Sequence, residues 1–357
     1  LFNTTASPID ISGWWLSDSS DHFFKYQIPG GTVLNAGGYL VFDEDDFNPT
    51  PLSPGANDFA LSGTSGDDVW LVDQDGGGAG VAWIMDDVHF GASVNGESFG
   101  RVPNGAGRLA PLNILSLGSD NGSISDGVRV GELVIGEVHY HPTAPSAAAL
   151  AVDPTISADD LEFVEVYNTS ALAVDLTEWR IRGGVDFDFA AGSLLGAGEV
   201  IVVVSFDPDS AGNASRLAAF RTNYGIDASV ALVGGYQGRL SDSFERVELQ
   251  RPGTPPLEDP TLTPRLLEDE VFYDDLLPWP GSVDGLGDTL HRTGPSRWGS
   301  QVASWTAGGP GPGTVDRPGD TDLDGDVDTG DLTTAIINFT GAGGSGKAWP
   351  HGDVNGD

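Results

Sequence analysis

Six aspartates stand within twelve residues near the end of the sequence: Asp320, Asp322, Asp324, Asp326, Asp328 and Asp331. Counted from Asp320, they occupy positions 1, 3, 5, 7, 9 and 12. Gly325 takes position 6, where a tight cation loop must turn with positive φ, and Val327 takes position 8, which packs inward. Hard oxygen donors at alternate positions suit calcium, which takes about six to eight of them. The expected side-chain ligands are Asp320, Asp322, Asp324, Asp328 and Asp331, directly or through water. Asp326 would offer its backbone carbonyl. The plainer alternative is a solvated charge run. Carboxylates this close repel one another, so the loop is expected to order only when calcium binds.

The elements around these residues fit the first reading. After Asp331 comes LTTAIINF, where Leu332, Ile336 and Phe339 recur at helical spacing, enough for a short helix with one apolar face. GDVNGD (352–357) then restarts the pattern, with Asp353, Asn355 and Asp357 at positions 1, 3 and 5. Position 12 of the first loop is Asp331, not the Glu of the common EF-hand. In this, residues 318–357 resemble the first half of a dockerin type I module with the start of its second loop. The resemblance implies an EF-hand-like calcium segment. It also implies a cohesin-like or cell-surface protein as partner. The missing second half bears on native dockerin folding and partner binding, and does not remove the first calcium loop.

Other candidate chemistry is thinner. Glu137, His139 and His141 alternate along one apolar stretch, so as a strand they would share a face. Such a trio could hold zinc, or it could be an ordinary strand. There is no G-x-S-x-G elbow, no H-E-x-x-H and no phosphate loop. The acidic clusters at 43–46 and 267–270 are expected to be solvated surface. Residues 267–280 are more apolar and are expected to supply a late strand. No catalytic constellation is expected in the residues present.

Composition narrows the classes further. The formal charge is −37, with 53 acidic against 16 basic residues. That balance excludes nucleic-acid binding through phosphate neutralisation and disfavours anionic membrane surfaces. With no Cys, there are neither disulfides nor thiol chemistry. No apolar run approaches the roughly 18 residues that span a bilayer. The sequence opens without Met, and a signal peptide is expected upstream of it.

An internal repeat sets the architecture. LFNTTASPIDISGWWL (1–16) aligns without a gap on VYNTSALAVDLTEWRI (166–181), pairing Asn3 with Asn168, Asp10 with Asp175 and Trp14 with Trp179. GTVLNAGGYLVF (31–42) follows in register with GSLLGAGEVIVV (192–203), and LSGTSGDDVWL (61–71) parallels LSDSFERVEL (240–249). Short β-branched and aromatic runs separated by Gly, Asp, Asn and Pro read as a mainly β chain. One convincing helix lies at 215–225, with Leu217, Phe220 and Tyr224 on one side and Gly225 as its stop. The aspartates are expected to accept backbone N–H bonds, and the tryptophans to pack between sheets.

This repeated pattern resembles the lamin tail domain, an immunoglobulin-like β-sandwich. ELVIGEVHYHP (132–142) resembles that family's opening strand, and NGESFGRVPNG (95–105) its closing strand and turn. The first copy begins at the N-T turn and lacks the opening strand. The resemblance implies two such sandwiches in tandem, at 1–121 and 131–317, with a linker at 122–130 and the calcium segment at 318–357.

The function expected is that of a non-catalytic, extracellular, secreted bacterial protein, structural or adhesive, tethered through its calcium segment. One alternative is the accessory region of a secreted polysaccharide-degrading enzyme whose catalytic domain lies outside this chain. Another is a module that binds an extracellular polysaccharide through exposed aromatics such as Trp15 and Tyr236.

Overall fold

The computed structural model describes residues 1–74, 80–123 and 127–314. The protein is mainly β, as its short branched and aromatic runs predict. It divides into two compact units: Leu1–Arg129 with Pro252–Leu267, and Val130 onward except for that excursion.

The second unit is a sandwich. Its larger sheet runs in the order Leu232–Gly234, Val200–Val204, Phe163–Asn168, Leu133–His139, Thr289–Arg292, Trp305–Gly308. The smaller sheet runs Gln237–Gly238, Val185–Asp188, Arg180–Gly183, Phe244–Pro252, Arg265–Asp274. Residues 267–274 therefore do lie in a late strand. One face of each strand meets the other sheet, which puts Ile135, Val166, Ile181, Val203, Leu249 and Trp305 in a single sealed core. The opening strand Leu133–His139 is central, antiparallel to Phe163–Asn168 on one side and to Thr289–Arg292 on the other.

The larger sheet is covered on its outer face as well. The helix Ala214–Tyr224 lays Phe220 and Ala219 against Phe163, Val202 and Val204. Burial on both faces explains why VIVVV (200–204) reads as an unbroken apolar run. Gly225 ends the helix at φ +69, as its position predicts.

The first unit repeats part of this plan. Trp15–Ser17 pairs with Tyr26–Gln27 and Asp67–Gln74, and Val81–Phe90 forms the next strand. Ile9–Asp10 pairs with Val33–Leu34 as Val174–Asp175 pairs with Leu194–Leu195. Ser98–Val102 pairs with Arg108–Leu112. One of its apolar clusters buries Ile11, Ile28 and Leu34, with Ile9, Trp14, Leu40, Phe42 and Leu71 packed partly buried against them.

The repeat is one of hydrogen bonds as well as letters. Asp10 accepts the amide of Ser12 at 3.0 Å and Asp175 that of Thr177 at 2.9 Å. The hydroxyls of Ser12 and Thr177 in turn accept from Gly31 and Gly192. The hydrogen bonds from Ser12 and Thr177 hold both exposed carboxyls below their ordinary value. Trp179 is buried in the core, and Trp14 packs against Ile11 half-buried.

Candidate functional site

The calcium positions Asp320, Asp322, Asp324, Asp326, Asp328, Asp331, Asp353, Asn355 and Asp357 lie outside the described residues. Within them, chemistry-bearing side chains concentrate in the second unit, on the larger sheet.

Three groups form a row across adjacent strands. Glu165 stands directly opposite Glu137, and Glu137 directly opposite His291, so all three project from the face away from the core. Both glutamates are 2% exposed and His291 5%. The segment 308–314, Gly-Gly-Pro-Gly-Pro-Gly-Thr, crosses over them as a strap. The amide of Gly311 donates to Glu137 Oε1 at 3.1 Å and that of Gly313 to Glu165 Oε2 at 2.8 Å. His291 Nε2 lies 2.9 Å from the carbonyl of Gly309 and 3.8 Å from Glu137 Oε1. A cavity of about 30 Å³ remains beside the row, space for a water or two. Carboxylates sealed under backbone amides are suited to clasping a segment against a sheet; at this burial they are out of reach of a polymer substrate.

Of the two readings of Glu137, His139 and His141, the ordinary strand fits the described residues better than the zinc site. Among the described residues no group of three His, Cys, Asp or Glu side chains is arranged to hold a metal ion. Glu137 is engaged by the strap. His141 Nδ1 sits 2.6 Å from Asp284 Oδ1, beyond the end of the strand. His139 turns to Tyr224 Oη at 3.0 Å. Tyr224 donates its own proton to the carbonyl of Leu161 at 2.7 Å, so His139 Nδ1 must be the donor in their contact. That leaves Nε2 as a buried acceptor without a hydrogen-bond partner. Burial, together with His291 and His141, pushes this imidazole down to about 3.

The acidic cluster at 267–270 is also placed differently from its expectation. Glu268, Asp269 and Glu270 are buried, because each meets a cation or hydroxyl from a distant part of the unit. Asp269 Oδ2 accepts the amide of Ile135 at 2.8 Å, and its carboxylate pairs with both terminal nitrogens of Arg292. Arg292 also donates to the carbonyl of Ile135 at 3.0 Å and lies 5.8 Å from the ring centre of Trp305. Glu268 accepts from the amide of Glu132 and from Arg251 Nε, both at 2.8 Å. Glu270 is bonded by Ser300. These contacts tie the smaller sheet to the opening strand. The cluster at 43–46 behaves as expected, with Asp43 capping a short exposed helix at Glu44–Phe47.

A further buried carboxyl, Glu162, lies just before Phe163–Asn168. It accepts from the amide of Leu240 at 3.1 Å and from Tyr236 Oη at 3.3 Å. Burial outweighs these bonds and pushes it up to about 8. Tyr236 is itself buried and so is not an exposed aromatic. Trp15 is half-buried, donating to Gln74 at 3.2 Å and meeting Phe24 edge-on. Aromatics that do face solvent among the described residues include Phe244, 61% exposed, and Trp83, 70% exposed on the strand Val81–Phe90 beside Ile84 and Met85. No helix among the described residues is long and apolar enough to cross a membrane.

No curated protein matches the chain. A solved structure, that of a DUF4876 family protein from Bacteroides thetaiotaomicron VPI-5482, is 12% identical with a TM-score of 0.29, covering 68% of this chain and 90% of that one. A likeness so slight carries no argument. The sequence model of the Lamin Tail Domain matches residues 1–85 and 129–247, the two stretches that hold the paired Asn, Asp and Trp positions. With more than half of its residues matched in two copies, the chain belongs to the lamin tail domain family.

Proposed function

We propose that this is a non-catalytic structural or adhesive protein of the extracellular space, held to a partner through a calcium-dependent segment at 318–357. The observation that carries the reading is the aspartate spacing from Asp320 to Asp331 around Gly325. Two further observations support it. The buried acids of the second sandwich are engaged in clasping sheets and strap, a structural use of these carboxylates. The chain is also fastened to the sheet by Gly311 and Gly313, shortly before residues 318–357 in sequence. A cohesin-like or cell-surface protein is the partner proposed for that segment.

Limited chymotrypsin digestion of the full chain tests this. With calcium present, cleavage after Leu332 and Phe339 should slow at least tenfold relative to chelated protein. Equal cleavage in both conditions would count against the tether.

A second reading, binding to an extracellular polysaccharide, is favoured by Trp83, whose exposed ring is free to stack on a sugar face. Retention on insoluble polysaccharides that Trp83→Ala abolishes would support it; retention unchanged by that substitution would remove Trp83 from the account.

A further inference from the structure

At one end of the smaller sheet, the second sandwich carries apolar side chains that its own fold does not bury. Phe244, 61% exposed, opens the strand Phe244–Pro252, and its ring centre lies 6.5 Å from that of Phe272 on the neighbouring strand Arg265–Asp274. Just past that strand the chain turns through Leu276 and Leu277, 67% and 91% exposed. The turn is fixed. Asp274 Oδ1 accepts the amide of Leu276 at 2.8 Å, and the carbonyl of Leu276 accepts the amide of Trp279 at 3.0 Å. Trp279 and Val283 are buried in the core, so the two leucines are held outward by an anchored loop. The shared fold does not require an aromatic at 244. With GDDVWL (66–71) set against FERVEL (244–249), its counterpart is Gly66, at φ +80, where a Cβ would stand 2.2 Å from the carbonyl oxygen of Phe90.

The rim of this surface is acidic. Asp242 and Glu245 flank Phe244, and Asp274 and Asp275 precede the leucines. Their closeness shows at Tyr140, which is buried with its ring stacked 4.2 Å from that of Tyr273. Burial, then Asp284, Asp275, Asp274 and Asp242, push the Tyr140 hydroxyl well above its ordinary value. That hydroxyl is buried and has no hydrogen-bond partner among the described residues. The charge is only partly balanced. Asp242 lies 3.6 Å from Arg239, and Asp284 lies 2.6 Å from His141. Glu245, Asp274 and Asp275 form no ion pair among the described residues. Exposed apolar groups rimmed by polar ones mark an interaction surface. The sign of the rim selects what covers it. It repels an anionic membrane, and it repels a second copy of a chain whose net charge is −37. It draws a cationic partner.

We propose that this surface docks a basic, aliphatic segment of another protein. Its Arg or Lys side chains settle among Glu245, Asp274 and Asp275, and its apolar side chains cover Phe244, Leu276 and Leu277. The apolar contacts supply affinity, while the carboxylates speed encounter and reject neutral or acidic segments. The surface lies outside residues 318–357 and does not rest on the calcium reading.

The probe is a labelled synthetic peptide alternating Arg and Leu, added to the full chain at physiological salt with chelator present. A peptide alternating Arg and Ser has the same charge and serves as its control. Fluorescence anisotropy should show saturable binding, about tenfold tighter for the Arg-Leu peptide, the difference that covering one leucine makes. Leu276→Ser together with Leu277→Ser should abolish that difference; both positions are exposed, so the fold is kept. Glu245→Gln with Asp275→Asn should weaken both peptides about fivefold. Asp45→Asn with Asp120→Asn removes as much charge elsewhere and should change neither. Absence of saturable binding, equal affinity of the two peptides, a preference that survives the leucine substitutions, or equal loss from the two pairs of charge substitutions would each overturn the proposal. So would leucine-dependent capture by phosphatidylcholine vesicles without any peptide preference, which would assign the loop to a lipid surface. Chelator is present throughout, so failure here can be told apart from failure of the tether.

Discussion

Asn3 and Asn168 make the same connection in two different units. Each is buried, each accepts the amide two residues ahead, and each donates its side-chain N–H groups to one carbonyl four residues ahead and to another beyond the strands that follow. Asn3 reaches Ser7 and Leu34; Asn168 reaches Leu172 and Leu195. No other side chain of this size offers a carbonyl and an N–H₂ at that geometry.

Replacing either asparagine should therefore unfasten its loop. Asn168→Ala leaves buried carbonyls without donors and is expected to cost roughly 2–4 kcal/mol, since each unsatisfied buried group costs about 1–3 kcal/mol. Urea unfolding followed by Trp fluorescence checks this. Asn168→Asp keeps the acceptor and loses both donors, and is expected to be no better than Ala.

Asp269 and Arg292 form the most deeply buried ion pair in the second sandwich among the described residues. Removing one partner strands the other charge. Asp269→Ala is expected to destabilise by about 3–5 kcal/mol, whereas replacing both residues with apolar ones of similar volume should cost far less. A double-mutant cycle in urea measures the difference. Equal cost for the single and double replacements would mean that the pair is incidental.

Glu162 and His139 give stability two opposite slopes with pH. Glu162 is raised from 4.5 to about 8, so the folded protein holds this proton more tightly than the unfolded chain. Its contribution is full below pH 4.5 and is lost as pH rises toward 8. His139 is lowered from 6.5 to about 3, so here the unfolded chain binds the proton more tightly. Its contribution is full above pH 6.5 and is lost as pH falls toward 3. Each slope is limited to about 1.4 kcal/mol per pH unit. Glu162→Gln should flatten the loss between pH 5 and 8, and His139→Phe the loss between pH 6 and 3. Thermal melts across pH, each variant against the native protein, separate the two.

The repeat was readable because both copies must solve one local problem with the same short-range hydrogen bonds. Asp10 with Ser12, and Asp175 with Thr177, are two residues apart, and such spacing is visible in a sequence. The helix Ala214–Tyr224 was readable for a similar reason, from its apolar spacing and its glycine stop. The burial of Glu268, Asp269 and Glu270 was not. Their partners Arg251, Ser300 and Arg292 lie 17 to 30 residues away, and the amides of Glu132 and Ile135 more than 130. In a chain with 53 acidic residues, a cluster of three gives no sign that it is paired. Glu137 and His139 were placed on one strand face correctly, but their partners Gly311 and Tyr224 come from elements that only the tertiary fold brings near. Tyr236 was expected outside and lies inside, because its hydroxyl reaches the buried Glu162.

Calorimetric titration of the full, chelator-stripped chain with calcium tests the central claim most directly. The account predicts saturable binding near one site per chain, lost in Asp320→Ala and in Asp324→Ala, with the urea stability of the second sandwich unchanged. No saturable binding, or binding that survives both substitutions, would contradict it and leave the acidic segment as a solvated tail.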